Sequence, residues 1–233
     1  MNVLLFDIDG TLVHSAGAGR VAFELAFARV HEIKNAGRDV AFDGKTDPAI
    51  YDEICAVMHI PPTRANRNEV LRRYALALAR LMPVAPAARE IPGARDLLTV
   101  AKAAGHACGL LTGNIREGAR IKLSRFGLLD FFCFGAYGDD AATREEIARL
   151  AIERGREAVD APTLPPDRFV VIGDTPRDVE CGRACGMRTL AVATGTRYTL
   201  DDLRSCSPDL AAGSLEDTQA IMSWIDSPAR NRS

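Results

Sequence analysis

The sequence predicts an α/β fold: a doubly wound parallel sheet with a helical unit inserted into it. Two observations support this prediction. Short apolar runs without polar alternation recur along the chain, and such runs are typical of strands buried on both faces of a parallel sheet. Helical patterns separate them, which is the rhythm of βαβ units. The second observation is a long interval near the start that contains only helical pattern.

The predicted elements follow this rhythm in order. Strands are predicted at 3–6, 107–111, 169–172 and 189–193, with a further short strand at 131–134. Helices are predicted at 93–104, 117–126, 144–154 and 178–185. Four of the strands end in small or polar residues, as expected where a strand gives way to a loop.

The interval between residues 11 and 92 contains no convincing buried strand. Its helical patterns cover 19–30, 48–58 and 66–81, and three prolines, Pro83, Pro86 and Pro92, mark the return to the sheet. An interval of this length is too long for a loop in a compact domain. We therefore predict a core domain at 1–15 and 88–233 and an inserted helical domain at 16–87, with a frayed end at 227–233.

Composition excludes several classes of protein. The chain has 233 residues, of which 47% are hydrophobic and 26% charged, and its net charge is -2. This charge gives no general attraction to nucleic acid or anionic lipid, and no apolar stretch is long enough to span a membrane. The first apolar run stops at Asp7, which does not fit a signal peptide. The six cysteines form no CxxC pattern and are expected to be buried free thiols in a reducing compartment. We expect a cytoplasmic monomer or homodimer.

Two acids directly follow the first predicted strand. Asp7 and Asp9 are separated by one residue and are followed by Gly10 and Thr11. In open α/β sheets, ligands bind in the crevice at the carboxyl ends of the strands. Two close carboxylates repel each other, so a cation, a shared proton or a metal ion is expected beside them. The pair is therefore a candidate catalytic or metal site.

Polar residues also follow two other predicted strands. Thr112 and Asn114 follow the strand at 107–111, and Asp174 and Asp178 follow the strand at 169–172. A threonine at this position either caps the next helix or binds a ligand, and Asn114 is equally suited to capping a helix from Ile115. Asp178 has three possible roles, which are binding metal, supporting a ligand of the metal, or capping a helix from Val179.

Three motifs together resemble the haloacid dehalogenase superfamily. They are DIDGTL at 7–12, LTGN at 111–114 and GDTPRD at 173–178, each after an apolar run. The chain is most similar to the phosphatase branch with a small helical cap, the phosphoglycolate-phosphatase-like group, and the resemblance extends from residue 3 to about 196. It implies a Rossmann-like core with an inserted α-helical cap, acting on a small phosphorylated metabolite.

The resemblance implies a role for each acid. Asp7 matches the nucleophile that forms an aspartyl-phosphate, and Asp9 matches the general acid and base. Asp7, the backbone carbonyl of Asp9, and Asp174 match the ligands of a Mg²⁺ ion, with Asp178 in a supporting role. An acid at Asp9 favours phosphoryl transfer over dehalogenation, because a halide needs no proton to leave. Thr112, Gly113 and Asn114 match phosphate-binding positions, where glycine lets the backbone approach closely.

The family also needs a cation, usually lysine, beside the phosphoryl group. The chain has no lysine beyond Lys122, so the usual lysine is missing. We predict that Arg144 takes its place, because guanidinium also binds phosphate oxygens. Lys122 is the competing candidate, and its alternative interpretation is a solvated helix position.

Substrate selection is expected in the inserted unit. Arg20 and Lys45 are the cations predicted to reach a substrate anion, although an ordinary surface role suits Lys45 equally well. Gly17 and Gly19 are predicted to form a hinge between core and cap. Phosphoglycolate is the first substrate to try. A phosphomutase, a phosphonatase or a non-catalytic binding protein on the same core are the alternatives.

Overall fold

A central parallel sheet organises the computed structural model, which describes residues 1–228. The sheet has six strands in the order β5-β4-β1-β6-β7-β8, and every neighbouring pair is parallel. The strands are β1 (Val3–Phe6), β4 (Ala107–Leu111), β5 (Phe134–Ala136), β6 (Phe169–Gly173), β7 (Arg188–Val192) and β8 (Leu210–Ala212).

Strand β1 lies where the winding of the sheet reverses. It pairs with β4 on one side and with β6 on the other, with Val3 aligned to both Ala107 and Phe169. The chain builds outward from β1 through β4 to β5, and then returns to build β6 to β8 on the opposite side. Such a reversal opens a crevice at the carboxyl ends of the strands. The α/β doubly wound fold predicted from the sequence is therefore confirmed.

Helices cover both faces of the sheet. Leu4 and Phe6 face a core that contains residues of α4 (Ala94–Ala103), α5 (Arg116–Ser124) and α9 (Thr218–Asp226). Val3 and Leu5 face the opposite core, with residues of α6 (Arg144–Ala158) and α7 (Pro176–Ala184). Successive side chains of a strand point to opposite faces, so an unbroken apolar run fills both cores. A short helix, α8 (Leu200–Ser205), packs near β7.

The helical interval forms most of a third hydrophobic cluster, which Ile115 and Ile121 beside and on α5 also join. The interval contains α1 (Ala18–His31), α2 (Asp47–Val57) and α3 (Arg64–Leu81), and we call residues 18–81 the helical segment. Phe23, Phe27, Tyr51 and Tyr74 are almost fully buried within this cluster. A two-stranded antiparallel ribbon of β2 (Val13–His14) and β3 (Arg89–Glu90) joins the points where the chain leaves and returns.

Several sequence-based expectations differ from the structure. The short strand expected at 131–134 lies instead at 134–136, after a single 3₁₀ turn. The ribbon of β2 and β3 was not expected, because two-residue strands leave no apolar run to detect. No element was predicted between residues 196 and 226, where α8, β8 and α9 occur. The end predicted to fray, 227–233, lies mostly outside the described residues.

Two further expectations concern membranes and thiols. Within residues 1–228, no helix combines the length and the apolar character that crossing a membrane requires. All six cysteines are free thiols, as expected from their spacing, but the predicted burial holds only for Cys55, Cys108 and Cys181, since Cys133 is exposed.

Candidate active site

A cavity of about 350 Å³ lies at the carboxyl end of β1, where the sheet meets the helical segment. Asp7, Asp9 and Asp174 line it from the core. Arg20, Lys45 and aromatic side chains line it from the helical segment. The predicted residues from three strand ends and from the inserted unit are therefore close together.

Asp7 lies at the base of this cavity. Its backbone N–H continues the pairing of β1 with β6 by donating to Ile172 O at 3.0 Å, and its side chain is 8% exposed. Burial raises the pKa of Asp7 to about 6, although Arg144 opposes this shift and a hydrogen bond from Thr112 also lowers it. The Arg144 guanidinium lies 3.4 Å from Asp7 Oδ2. An attractive cation thus stands beside a carboxylate that has lost most of its water.

Asp9 is held by two side chains that follow β4. Lys122 Nζ lies 2.5 Å from Asp9 Oδ2, and Asn114 Nδ2 donates to the same oxygen at 2.9 Å. Enclosure by the cavity walls raises the pKa of Asp9, but attraction to Lys122 and these hydrogen bonds outweigh it, so the net pKa lies below its ordinary value. Asp9 is therefore ionised and tethered in this arrangement.

Asp7, Asp174 and Asp178 form an acidic cluster that could hold a metal ion. One carboxylate oxygen from each lies within 4.8 Å of the others, and all three residues are buried. Burial and repulsion from Asp178 and Asp7 raise the pKa of Asp174 well above its ordinary value. One guanidinium, that of Arg144, faces this group. A hard cation with oxygen ligands suits such a cluster.

Asp174 has the most open coordination of the three acids. Thr11 Oγ1 donates to it at a long 3.4 Å. Two glycines make room for its carboxylate, because an added Cβ would lie 2.2 Å from Asp174 Oδ2 at Gly10 and 1.9 Å from it at Gly195. Both oxygens of Asp178 are already engaged, one by Arg144 and the other by the amide and hydroxyl of Thr175. Asp7 and Asp174 thus fit a metal better than Asp178 does.

Of the three roles considered for Asp178, capping a helix from Val179 does not match the structure. Helix α7 begins at Pro176, and its N-cap residue is Thr175. Asp178 lies in the first turn and accepts hydrogen bonds back from Thr175, at 3.0 Å from the amide and 2.7 Å from the hydroxyl. Its second oxygen pairs with Arg144. Asp178 thus both closes the first turn of α7 and fixes the arginine beside Asp7.

Arg144 is buried at the start of α6. Its side chain is 9% exposed, and its Nε atom has no hydrogen-bond partner among residues 1–228. Burial disfavours its charge, but Asp178 and Asp7 more than compensate, so the pKa of Arg144 lies above its ordinary value. Helix α6 positions it firmly, since Thr143 and Glu146 form a capping box at its first turn. Arg144 therefore remains a charged group next to the expected nucleophile.

Lys122 is not a solvated helix position. Only 4% of the residue is exposed, and its ammonium donates to Asn114 Oδ1 at 2.6 Å as well as to Asp9. The alternative interpretation of Lys122 as a surface residue is therefore wrong. On α5, Lys122 lies one turn after Gly118, on the face that meets the helical segment, where a Cβ at Gly118 would lie 3.4 Å from Tyr74. Both candidate cations line the same cavity.

Asn114 and Thr112 do not cap α5 with their side chains. The N-cap residue of α5 is Ile115, and the Ile115 side chain makes no capping hydrogen bond to the helix. Asn114 instead donates to Asp9 and to Thr112 Oγ1, the latter at 2.9 Å. Thr112 is 1% exposed. The equal alternative of a helix cap at Asn114 is thus wrong, and the two residues form a network with Asp7 and Asp9.

The two cations of the helical segment have different partners. Lys45 pairs with Glu53, so its charge is largely balanced. Arg20 donates to two backbone carbonyls, Gly37 O and Val40 O, and its guanidinium lies 4.1 Å from the centre of the Phe42 ring. The carbonyls hold Arg20 without neutralising it. Gly17, which precedes α1, has a φ of 80°, a left-handed conformation that favours glycine.

Sequence reasoning missed two residues of this site, Asp47 and Gly195, whereas Thr175 lies within the GDTPRD motif at 173–178. Asp47 reaches across from α2 and accepts a hydrogen bond from the Ile115 amide at 2.8 Å. Burial raises the pKa of Asp47 to about 7, with Lys122 opposing the shift. Thr175 and Gly195 shape the surroundings of Asp178 and Asp174. The only signals were a Thr-Asp pair before an expected helix and a Thr-Gly pair after a predicted strand, and neither indicates a distant partner.

One family model and several proteins of known function match this chain. The family model described as haloacid dehalogenase-like hydrolase matches residues 4–192. A phosphoglycolate phosphatase from Synechococcus elongatus is 26% identical over 207 residues, covering 84% of this chain and 85% of that protein. One from Rhodospirillum rubrum is 25% identical over 229 residues, with 97% and 91% covered.

A solved structure of similar fold is β-phosphoglucomutase from Clostridium difficile. It has a TM-score of 0.73 and 16% identity, with 97% of both chains covered. At this identity the likeness concerns the fold alone.

Proposed function

This chain belongs to the haloacid dehalogenase-like hydrolase family and is a phosphatase, and we propose that it hydrolyses phosphomonoesters of small metabolites with Mg²⁺. The observation that carries this proposal is the arrangement around Asp7. A buried carboxylate at the end of β1 has Arg144 on one side and the open carboxylate of Asp174 on the other. Both a phosphoryl group and a metal ion find suitable partners there.

The first proposed step forms a covalent intermediate. An Asp7 carboxylate oxygen attacks phosphorus, the ester P–O bond breaks, and the leaving alkoxide takes a proton from the Asp9 carboxyl. This splits one difficult displacement into two easier ones. In the second step, Asp9 accepts a proton from water, the water oxygen bonds to phosphorus, and the bond between Asp7 and phosphorus breaks to release inorganic phosphate.

The geometry around Asp9 suits the second step directly. Lys122 and Asn114 keep Asp9 ionised, which is the form that accepts a proton from water. To donate a proton in the first step, Asp9 must move away from Lys122. A substrate phosphate offers Lys122 other oxygens to bind, which would release Asp9 from this contact.

Arg144 is proposed as the cation that holds the phosphoryl group. Its guanidinium forms an ion pair with Asp7, and Asp178 orients that guanidinium. Thr112, Gly113 and Asn114 are proposed to contribute to phosphate binding. Preorganised donors of this kind stabilise the charge of the transition state without reorganisation during the reaction.

Mg²⁺ is proposed to be held by Asp7, Asp174 and the backbone carbonyl of Asp9, with Asp178 as support. Such an ion, when bound, supplies charge neutralisation between a carboxylate and a phosphate dianion. The cradle that Gly10 and Gly195 form around Asp174 fits this role, since it leaves the carboxylate unobstructed.

Residues 16–87 are proposed as a cap domain over a core of 1–15 and 88–233, with Gly17 and Gly19 at the hinge. The cavity lies between the cap and the core. Arg20 and Lys45 are proposed to contact the part of the substrate beyond its phosphate. Phosphoglycolate is the first substrate to test, because curated relatives are phosphoglycolate phosphatases. The six free thiols support a reducing, cytoplasmic location.

The deciding experiment measures Mg²⁺-dependent release of inorganic phosphate from p-nitrophenyl phosphate and from phosphoglycolate. We expect Asp7→Asn to abolish turnover, because the amide is not a competent nucleophile. Activity that survives in Asp7→Asn would overturn the proposed mechanism. Formation of an isomer from a sugar phosphate, without phosphate release, would indicate a mutase instead.

A further inference from the structure

Helix α5 begins without a capping side chain of its own. Its N-cap residue is Ile115, whose side chain has no acceptor atom. The Ile115 amide donates to Asp47 Oδ2 at 2.8 Å, and the Arg116 amide donates to Asp139 Oδ1 at 2.9 Å. Two carboxylates thus lie at the start of α5, where the partial positive charge of a helix N-terminus stabilises them.

Asp47 reaches this helix from the helical segment. It is the first residue of α2, lies 68 positions from Ile115 and is only 7% exposed. Its backbone N–H donates to Gly113 O at 2.8 Å. The approach is close, because a Cβ at Gly113 would lie 2.2 Å from Lys45 O. Asp47 therefore forms hydrogen bonds to the backbone on both sides of Asn114.

This stretch of chain leads to two of the side chains that hold Asp9. Asn114 lies between the two contacts, and Lys122 lies on the helix that begins there. Asn114 Oδ1 accepts from Lys122 Nζ, so the two side chains also orient each other. The position of Asp9 thus depends on a stretch of backbone that a residue of the helical segment fixes.

We propose that Asp47 is a positioning residue that couples docking of the helical segment to the order of Asp9. When the segment lies against the core, Asp47 caps α5 and fixes Asn114 and Lys122. When the segment moves away, α5 loses this cap and the tether of Asp9 loosens. The effect on catalysis rests on the proposed phosphatase function, whereas the structural coupling does not.

Amide hydrogen exchange measured by NMR on the metal-free protein tests the coupling without any activity. Asp47→Ala is compared with Asp139→Ala, which removes the other carboxylate from the same helix end. We expect exchange of the Ile115 amide to accelerate about tenfold in Asp47→Ala, as for the loss of a helix cap. In Asp139→Ala the Ile115 amide stays protected. Unchanged Ile115 protection in Asp47→Ala would overturn the proposal.

Turnover of p-nitrophenyl phosphate tests the consequence for catalysis. We expect Asp47→Ala to lower kcat about tenfold, because the second step needs Asp9 ionised and oriented, while Asp47→Asn, which retains an acceptor oxygen, stays within about threefold of wild type. Asp139 is exposed, so the kcat of Asp139→Ala should stay within about twofold of wild type. Equal losses in Asp47→Ala and Asp139→Ala would overturn the proposal, because any cap would then suffice.

Two controls keep these results interpretable. If Asp47→Ala does not fold, Asp47→Ser replaces it, since serine is too short to reach Ile115 from α2 and the same exchange and kcat changes are expected. If the wild-type protein hydrolyses no phosphate ester, the proposed function fails, while the Ile115 exchange result still decides the coupling.

Discussion

Lys122 Nζ lies 2.5 Å from Asp9 Oδ2, although 113 residues separate the two in the chain. This contact links the acid that follows the first strand to a lysine on the helix after β4. Because only 4% of Lys122 is exposed, its charge acts within the site and not on the surrounding solvent.

Asp9→Asn should affect substrates according to their leaving group. We expect a fall in kcat of about 100-fold or more with an alkyl phosphate, the range typical of lost general acid catalysis. The rate of the first step should fall less with p-nitrophenyl phosphate, because nitrophenolate leaves without a proton. Burst-phase release of nitrophenol isolates that step. Equal losses of the first step with both substrates would contradict the proton-donor role of Asp9.

Arg144→Ala should damage phosphate handling more than Lys122→Ala. We expect kcat/KM to fall about 100-fold or more for Arg144→Ala, because it removes a preorganised cation beside Asp7. Arg149→Ala, an exposed position on the same helix, serves as the control and should be near neutral. If Lys122→Ala is the more damaging change, our assignment of the phosphate-binding cation is wrong.

Mg²⁺ should stabilise the folded protein through the acidic cluster. A ligand that binds only the folded state adds about 2.7 kcal/mol at 100 times its Kd, so the Tm should rise on titration and fall back with a chelator. Asp174→Asn should remove most of this rise. Asp201→Asn, whose side chain is 89% exposed, should retain it. A full rise in Asp174→Asn would contradict the proposed ligand set.

Gly195→Ala should disturb Asp174 specifically. The added Cβ would lie 1.9 Å from Asp174 Oδ2, so the carboxylate must move. We expect loss of activity and a weaker Tm response to Mg²⁺. Gly213→Ala is the matched control, because an added Cβ there meets nothing within 4 Å. Wild-type activity and Mg²⁺ response in Gly195→Ala would show that the cradle around Asp174 is not needed.

Asp47 should make stability depend on pH. Its pKa is raised by burial to about 7 in the folded protein, from 3.8. The folded state therefore binds a proton more tightly than the unfolded state, and this stabilisation is lost as the pH rises from about 4 to about 7. Urea unfolding of the metal-free protein should show wild type losing stability relative to Asp47→Asn across this range. If the difference in free energy of unfolding between the two proteins stays constant over this pH range, the raised pKa of Asp47 is contradicted.

Much of the fold was predictable because it depends on local pattern. Unbroken apolar runs indicated β1, β4, β6 and β7, since strands buried on both faces need no polar alternation. The short edge strand β8 and the ribbon of β2 and β3 were missed. With two or three residues each, these strands leave too little pattern to distinguish them from loops.

The candidate site was predictable where its residues follow strand ends. Asp7, Thr112 and Asp174 were selected because parallel strands bring their carboxyl ends to one edge. Asn114 was less well predicted, because its sequence neighbours suit a helix cap and only the distant carboxylate of Asp9 shows its actual partner. Asp47 was missed for the same reason, since Ile115 lies 68 positions away.

The sequence by itself determined the order of elements, the two acids after β1 and the three motifs that carry the family's chemistry. Only the tertiary structure decided that Lys122 faces Asp9, that Arg144 is fixed by Asp178, and that Asp47 caps a helix of the core. The physical reason is distance along the chain. Local patterns reflect the burial of each residue, whereas pairs of charges between separate elements are set by how those elements pack.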